Sequence, residues 1–182
     1  MTNPSPYAGI VLAAGEGQRF GGPKAPFVVH GERLVDRSVR ILHEAGIDSV
    51  IVVLGAWVAD VPDCESVVNP HYRDGLGSSL RTGILHAQTN FPHLAGVIIT
   101  LVDLPELTPL TVREVLQSDT SIAQARCEGQ PGHPVKIGAE HFPALLDSLL
   151  GDRGAQLFLT QHHVAYIDVQ DRGSIADLDE QP

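Results

Sequence analysis

Cysteine is scarce in this 182-residue chain, with only Cys64 and Cys127 present. They have neither CxxC spacing nor a neighbouring histidine pattern. A disulfide framework, a redox pair and a structural zinc are therefore excluded as supports of the fold, and a reducing, cytoplasmic setting is expected. Cations are also short, with 12 Lys and Arg against 22 Asp and Glu, for a formal net charge of −10. An extended nucleic-acid surface needs clustered cations, so none is expected and any phosphate site must be local. No apolar run approaches the roughly 18 to 20 residues of a membrane span. The opening Met1–Pro6 carries no basic leader, so neither a membrane nor a secreted location is expected.

What is present is length enough for one domain, 1–182, to bury its own core. Val- and Ile-rich runs alternate with stretches of helical period, the pattern of βαβ units in an α/β protein with a largely parallel sheet. The clearest strands are Ala8 to Ala13, Ser49 to Leu54 and Val97 to Val102. Shorter ones are expected at Ser66 to Val68, Ser121 to Arg126, His133 to Ile137 and Val164 to Val169. Helices are expected over Leu34 to Glu44, Ser78 to Ala87, Pro109 to Leu116, Ala139 to Leu150 and Ala155 to Gln161. Ala45-Gly46 would stop the first of these, and Thr108 with Pro109 would cap the third.

Ligands of open α/β sheets bind beyond the carboxyl ends of the strands, so the residues that follow each strand carry the functional reading. After the first strand comes Gly15-Glu-Gly17-Gln-Arg19-Phe-Gly21-Gly22-Pro-Lys24. Its glycines let backbone N–H groups approach phosphate oxygens, and Arg19 and Lys24 supply charge, so the segment reads as a phosphate cradle. It is neither of two better-known glycine loops. The dinucleotide pattern GxGxxG has Phe20 at its third glycine, and the P-loop pattern is broken by Pro23 before Lys24 with no Ser or Thr following.

The strand at Val97 to Val102 ends in Asp103-Leu-Pro105. A carboxylate there can hold Mg²⁺ in company with phosphate oxygens and waters, or can cap the next turn. Further on, Asn69-Pro-His-Tyr-Arg73-Asp-Gly75-Leu-Gly77-Ser78-Ser79 leads into a helix. The two serines serve either as caps or as donors at an anion-binding helix end. In Pro131-Gly132-His133-Pro134 the backbone around His133 is fixed, and Gly151-Asp152-Arg153-Gly154 sets a charged pair in a turn.

Taken together, Leu12-Ala13-Ala14-Gly15-x-Gly17-x-Arg19-Phe20-Gly21-x-x-Lys24 resembles the signature loop of the MobA-like nucleotidyltransferases, and within them is most similar to that of the molybdenum cofactor cytidylyltransferases. The Pro-Gly-His-Pro-Val and Gly-Asp-x-Gly-Ala segments resemble that subfamily too, although Lys136-Ile137 stands where it usually has Leu-Phe. The resemblance implies a three-layer, Rossmann-like GT-A type fold with a mostly parallel mixed sheet. It implies that Leu12, Ala13, Ala14, Gly15, Gly17, Arg19, Lys24, Asn69, Gly77, Ser78 and Ser79 bind the nucleotide, with Arg19, Lys24 and Asp103 as the catalytic group. Mg²⁺ would lie at Asp103, with Val102 in the usual glycine position, and at Asp179 in a shortened tail that begins at Asp177. His133, Asp152 and Arg153 would face the acceptor.

The implied reaction is transfer of a nucleotidyl group from a nucleoside triphosphate to a phosphorylated acceptor of the molybdopterin type. Ala14 points to CTP, because guanylyl-transferring relatives usually have glycine there. A molybdoenzyme would be the transient recipient of the finished cofactor. Two alternatives stand beside this one: transfer to a sugar phosphate or another small phosphorylated alcohol, and non-catalytic nucleotide binding.

Overall fold

The computed structural model describes residues 6–170, 173 and 175–178. Met1 to Ser5 and the expected ligand Asp179 lie outside the described residues.

Strands β1 (Tyr7–Ala13), β4 (Ser49–Leu54), β5 (Glu65–Val68), β6 (Gly96–Leu101), β7 (Ile122–Cys127), β8 (Gln130–Gly138) and β9 (Ala165–Asp168) form a seven-stranded sheet in the order β5-β4-β1-β6-β8-β7-β9. Only β8 runs against its neighbours, so the sheet is mixed and mostly parallel, as expected. A separate two-residue hairpin, β2 (Val28–Val29) with β3 (Glu32–Arg33), had no counterpart in the sequence reading. It turns through His30 and Gly31, both with positive φ.

The side-chain period of two along each central strand divides the core between the two faces of the sheet. On β1, Val11 and Ala13 join the cluster beneath α1 (Leu34–Glu44) and α3 (Pro109–Leu116). Ala8, Ile10 and Leu12 join the opposite cluster, with α2 (Leu76–Asn90), α4 (Phe142–Ser148) and α5 (Gln156–Gln161). Both faces are covered, and this explains why the central strands read as continuous apolar runs rather than alternating ones. The result is the expected three layers.

The helix boundaries follow local chemistry. Thr108 accepts a hydrogen bond from the Thr111 N–H at the start of α3, with Pro109 in the first turn. At the other end of α1, Gly46 takes a φ of 95° after the Ala45 cap. The expected helix from Ala139 to Leu150 is shorter than its pattern: a 3-10 turn, Ala139–His141, precedes α4, and Leu149 is already extended.

The chain leaves β1 toward β4 and β5, then returns through α2 to β6 on the other side of β1. The strand order therefore reverses between β1 and β6, and the crevice outside their carboxyl ends is where this topology places a ligand. Among the described residues no helix is long and apolar enough to cross a membrane.

Gly96 begins β6 where a Cβ would lie 2.4 Å from the Ile137 carbonyl oxygen and 2.7 Å from Tyr7 Cε1. Backbone sets the tighter of these contacts, so Gly96→Ala should destabilise the protein by about 1–3 kcal/mol. Urea unfolding should show a lower midpoint with an unchanged m-value.

Candidate active site at the β1–β6 crevice

The glycine-rich loop is held by its own backbone and by two aromatic rings. Gly21 and Gly22 both donate to the Gly17 carbonyl oxygen, at 2.9 and 3.1 Å. Gly17 has φ of 60°, and a Cβ there would lie 1.9 Å from the Gly22 carbonyl oxygen, so only glycine fits. Phe20, the residue that breaks the dinucleotide pattern, is buried and packs edge-on against Phe27 at 4.8 Å. It anchors the loop to the core and leaves Lys24 to turn back over the crevice.

Lys24 Nζ donates to Asp103 Oδ2 at 2.7 Å, joining the loop after β1 to the end of β6. Both side chains are mostly buried, 15% and 17% exposed. The other carboxylate oxygen, Asp103 Oδ1, is buried and has no hydrogen-bond partner. Four hydrogen bonds fix the backbone here. Val102, at the family's glycine position, donates its N–H to Leu12 O and buries its side chain in the core. Arg37 of α1 donates to the Pro105 and Leu107 carbonyls, and the Leu178 N–H donates to Asp103 O. The C-terminal segment thus returns to the Asp103 turn.

Around this pair lies an open cleft of about 640 Å³. Of the expected nucleotide residues, Leu12, Ala13, Ala14, Gly15, Gly17, Lys24 and Ser79 line it together with Asp103. Arg19 sits in the same loop, exposed, and does not line the cleft. Asn69 is buried behind the wall: its amide nitrogen donates to Ser78 Oγ and Ser79 Oγ, and its oxygen accepts the His71 N–H. Its hydrogen-bonding groups organise the β5–α2 connection. The serines are not helix caps, because Gly75 is the N-cap of α2 and makes no side-chain cap bond. Gly77 faces the Leu149 to Gly151 backbone, where an added Cβ would lie 3.1 Å from Gly151 O.

A second, more enclosed cavity of about 430 Å³ shares Leu12 and Leu76 with the first. His133 and Arg153 line it, whereas Asp152, the residue before Arg153, lines the first cleft. The turn Gly151–Arg153 therefore stands between the two spaces. It fits there because Gly75 has no side chain: a Cβ would meet Gly151 C at 2.4 Å and Asp152 Oδ1 at 2.6 Å. His133 Nδ1 lies 3.4 Å from the Ile99 carbonyl oxygen, and burial pushes its pKa below the usual histidine value, against the smaller opposing pulls of Ile99 and Asp103.

Residues without an assigned role in the sequence reading also line these spaces. Glu16, Tyr72 and Arg73 edge the first cleft, and Gln124, Thr160 and Tyr166 the second. Glu16 belongs to the glycine-rich loop and Tyr72 and Arg73 to the segment before α2, but no spacing rule brings residue 16 to residue 73. Gln124 and Tyr166 come from strands added far along the chain. Among the described residues no group of three potential metal-ligating side chains occurs.

The family description "MobA-like NTP transferase domain" matches residues 9–165. The chain belongs to that family. It is a nucleotidyltransferase of the MobA-like type with the expected fold. The chain is also 33% identical to nicotine blue oxidoreductase of Paenarthrobacter nicotinovorans, over 94% of this chain and 91% of that one. It is 27% identical to a molybdenum cofactor guanylyltransferase of Xanthomonas euvesicatoria pv. vesicatoria, over 70% and 60%. Among solved structures, Rv0371c of Mycobacterium tuberculosis H37Rv superposes with a TM-score of 0.80 at 25% identity, covering 98% of this chain and 95% of that one.

A depressed histidine pKa means that the unfolded chain binds the proton more readily than the folded transferase. The His133 contribution to stability should be fully present above the ordinary value of 6.5 and should fall as pH drops through the lower, folded value. An NMR titration of the imidazole should show a midpoint below 6.5, and His133→Gln should flatten that part of the stability–pH curve.

Proposed function

We propose that the chain transfers a nucleotidyl group from a nucleoside triphosphate to a phosphorylated small molecule, releasing pyrophosphate. The observation that carries this reading is the Lys24–Asp103 pair at the β1–β6 crevice with one buried, unpartnered carboxylate oxygen. That oxygen suits Mg²⁺, which takes one or two carboxylates and completes its shell with phosphate oxygens and water. Asp103 would hold the metal, with a second carboxylate proposed at Asp179. When bound, Mg²⁺ would neutralise charge on the phosphates.

The protein's own groups would act mainly by placement. The loop from Gly15 to Gln18, which lines the cleft, is proposed to offer backbone N–H groups to the triphosphate, and Lys24 and Arg19 to grip the leaving pyrophosphate. The acceptor phosphate would enter from the second cavity past Leu12 and Leu76, guided by His133, Asp152 and Arg153. One of its oxygens forms a bond to the α-phosphorus as the bond to the bridging oxygen of the pyrophosphate breaks in line. A phosphate monoester is already anionic near neutral pH, so no general base is required.

CTP is the proposed donor. Ala14 lines the cleft, and it stands where the resemblance leads glycine to be expected in guanylyl-transferring members. The molybdenum cofactor guanylyltransferase relative makes GTP the competing donor. Molybdopterin is the proposed acceptor, with a molybdoenzyme as recipient of the product. A second reading, redox turnover of a small organic molecule, is supported by the nearly full-length similarity to nicotine blue oxidoreductase.

Titration calorimetry with CTP, GTP, ATP and UTP, with and without Mg²⁺, tests the first reading. Mg²⁺-dependent CTP binding, weakened at least tenfold by Asp103→Ala, is expected. Preference for GTP would reverse the base assignment, and binding of no triphosphate would overturn the nucleotidyl reading. Pyrophosphate release on adding molybdopterin should then follow. Consumption of a reduced nicotinamide or flavin with a dye acceptor, without pyrophosphate release, would favour the redox reading. Lys24→Met leaves the Asp103 carboxylate mostly buried and without its cation. It should cost about 1.5–3 kcal/mol of stability, read by urea unfolding.

A further inference from the structure

Charge is unevenly supplied at the mouth of the first cleft. Among the described residues that line it, Lys24 and Arg73 are the cations, and Glu16, Asp103 and Asp152 are the acids. Lys24 is already paired with one of those acids, Asp103. A triphosphate carries more negative charge than this arrangement neutralises, and Glu16 adds a carboxylate to the very loop proposed to cradle it.

That carboxylate is held from two directions. Arg73 Nε donates to Glu16 Oε1 at 2.7 Å, bridging from the turn Tyr72–Asp74 to the glycine-rich loop across 57 positions of sequence. Gln18 Nε2 donates to Glu16 Oε2 at 3.1 Å. These bonds, Gln18 first and Arg73 next, hold the Glu16 carboxyl below the usual carboxylate range. The guanidinium also lies over the Tyr72 ring, 5.0 Å from its centroid, a cation–π contact that steadies the head of an otherwise exposed side chain. The Arg73 side chain is 74% exposed.

Resting on the nucleotidyl reading above, we infer that Glu16 and Arg73 form a strap across the cleft mouth, and that Arg73 exchanges Glu16 for the phosphates of the incoming nucleotide. The two ion pairs of the cleft differ in the property that decides which one exchanges. An exposed pair contributes little net stability, because water and salt screen it and two side chains must be ordered to make it. A phosphate offers the same guanidinium two charge-assisted hydrogen bonds in fork geometry. The Lys24–Asp103 pair is largely withdrawn from water, so it exchanges less readily than the exposed pair. Arg73 is therefore a substrate-binding residue stored on a carboxylate. While the cleft is empty, Glu16 keeps Arg73 aimed at the loop.

Equilibrium binding of Mg²⁺–CTP, Mg²⁺–GTP and pyrophosphate to the full chain tests this, with Arg73→Ala, Glu16→Gln, the double variant and Arg73→Lys. Arg73→Ala should weaken triphosphate and pyrophosphate about tenfold, the scale of one lost charge-assisted contact. Arg73→Lys should recover only part of that loss. Glu16→Gln should tighten both ligands severalfold, because the competing anion is gone. In the Glu16→Gln background Arg73→Ala should still weaken binding about tenfold. If the effect of Arg73→Ala vanishes in that background, Arg73 merely screens Glu16 and the exchange is wrong. If Lys24→Ala abolishes binding while Arg73→Ala leaves it unchanged, the strap fails and the nucleotidyl reading stands. If the wild type binds no triphosphate or pyrophosphate, both fail together.

Discussion

The contact between Lys24 and Asp103 spans the crevice where the sheet changes direction, and much of the surrounding structure serves to keep it in register. Lys24 comes from a loop that cannot hold its shape without glycine at position 17 and a buried ring at position 20. Asp103 comes from a turn held by Arg37 of α1, by Leu12 of β1 and by the returning C-terminal segment. A lysine and a carboxylate withdrawn from water are costly singly and tolerable as a pair. One carboxylate oxygen is nevertheless left buried and unpartnered. An orphaned acceptor of this kind is destabilising in isolation, so it fits a site meant to be completed by something it binds.

The two spaces on either side of Leu12 and Leu76 follow from the same economy. The turn Gly151–Arg153 packs on the start of α2 because glycine at 75 and 77 lets backbone approach backbone. Consecutive residues, Asp152 and Arg153, then serve different cavities. A donor and an acceptor can be held apart by one turn yet share a boundary, the arrangement that in-line transfer between two bound molecules requires. The similarity to a protein named for redox chemistry is intelligible on these terms. The fold supplies two adjacent cavities, and what happens between them depends on which side chains line them.

The sequence by itself determined the layers and the place of the site. Val- and Ile-rich runs buried on both faces announce a parallel sheet, and α1 and α3 kept their expected bounds because amphipathic period and capping residues agreed there. The glycine-rich loop and Asp103 were legible because the residues beyond strand ends in such a sheet are where ligands bind, whatever the rest of the chain does. The cut-short helix before Leu149 and the two-residue hairpin after the loop were less legible. Short elements are decided by what they pack against rather than by their own pattern.

Only the tertiary structure decided which side chains meet. Asn69 reads as a ligand-facing amide in sequence, yet it is spent on two serine hydroxyls and a backbone N–H, since a buried amide must find partners in its own surroundings. Arg19 and Lys24 read as equivalent cations, yet the turn of the loop sends one to the cleft and leaves the other exposed outside its lining. Glu16 and Arg73 carry no mutual signal along the chain, because their contact depends on the order in which strands enter the sheet. Local pattern is set by neighbours in sequence, whereas charge pairing across a cleft is set by neighbours in space.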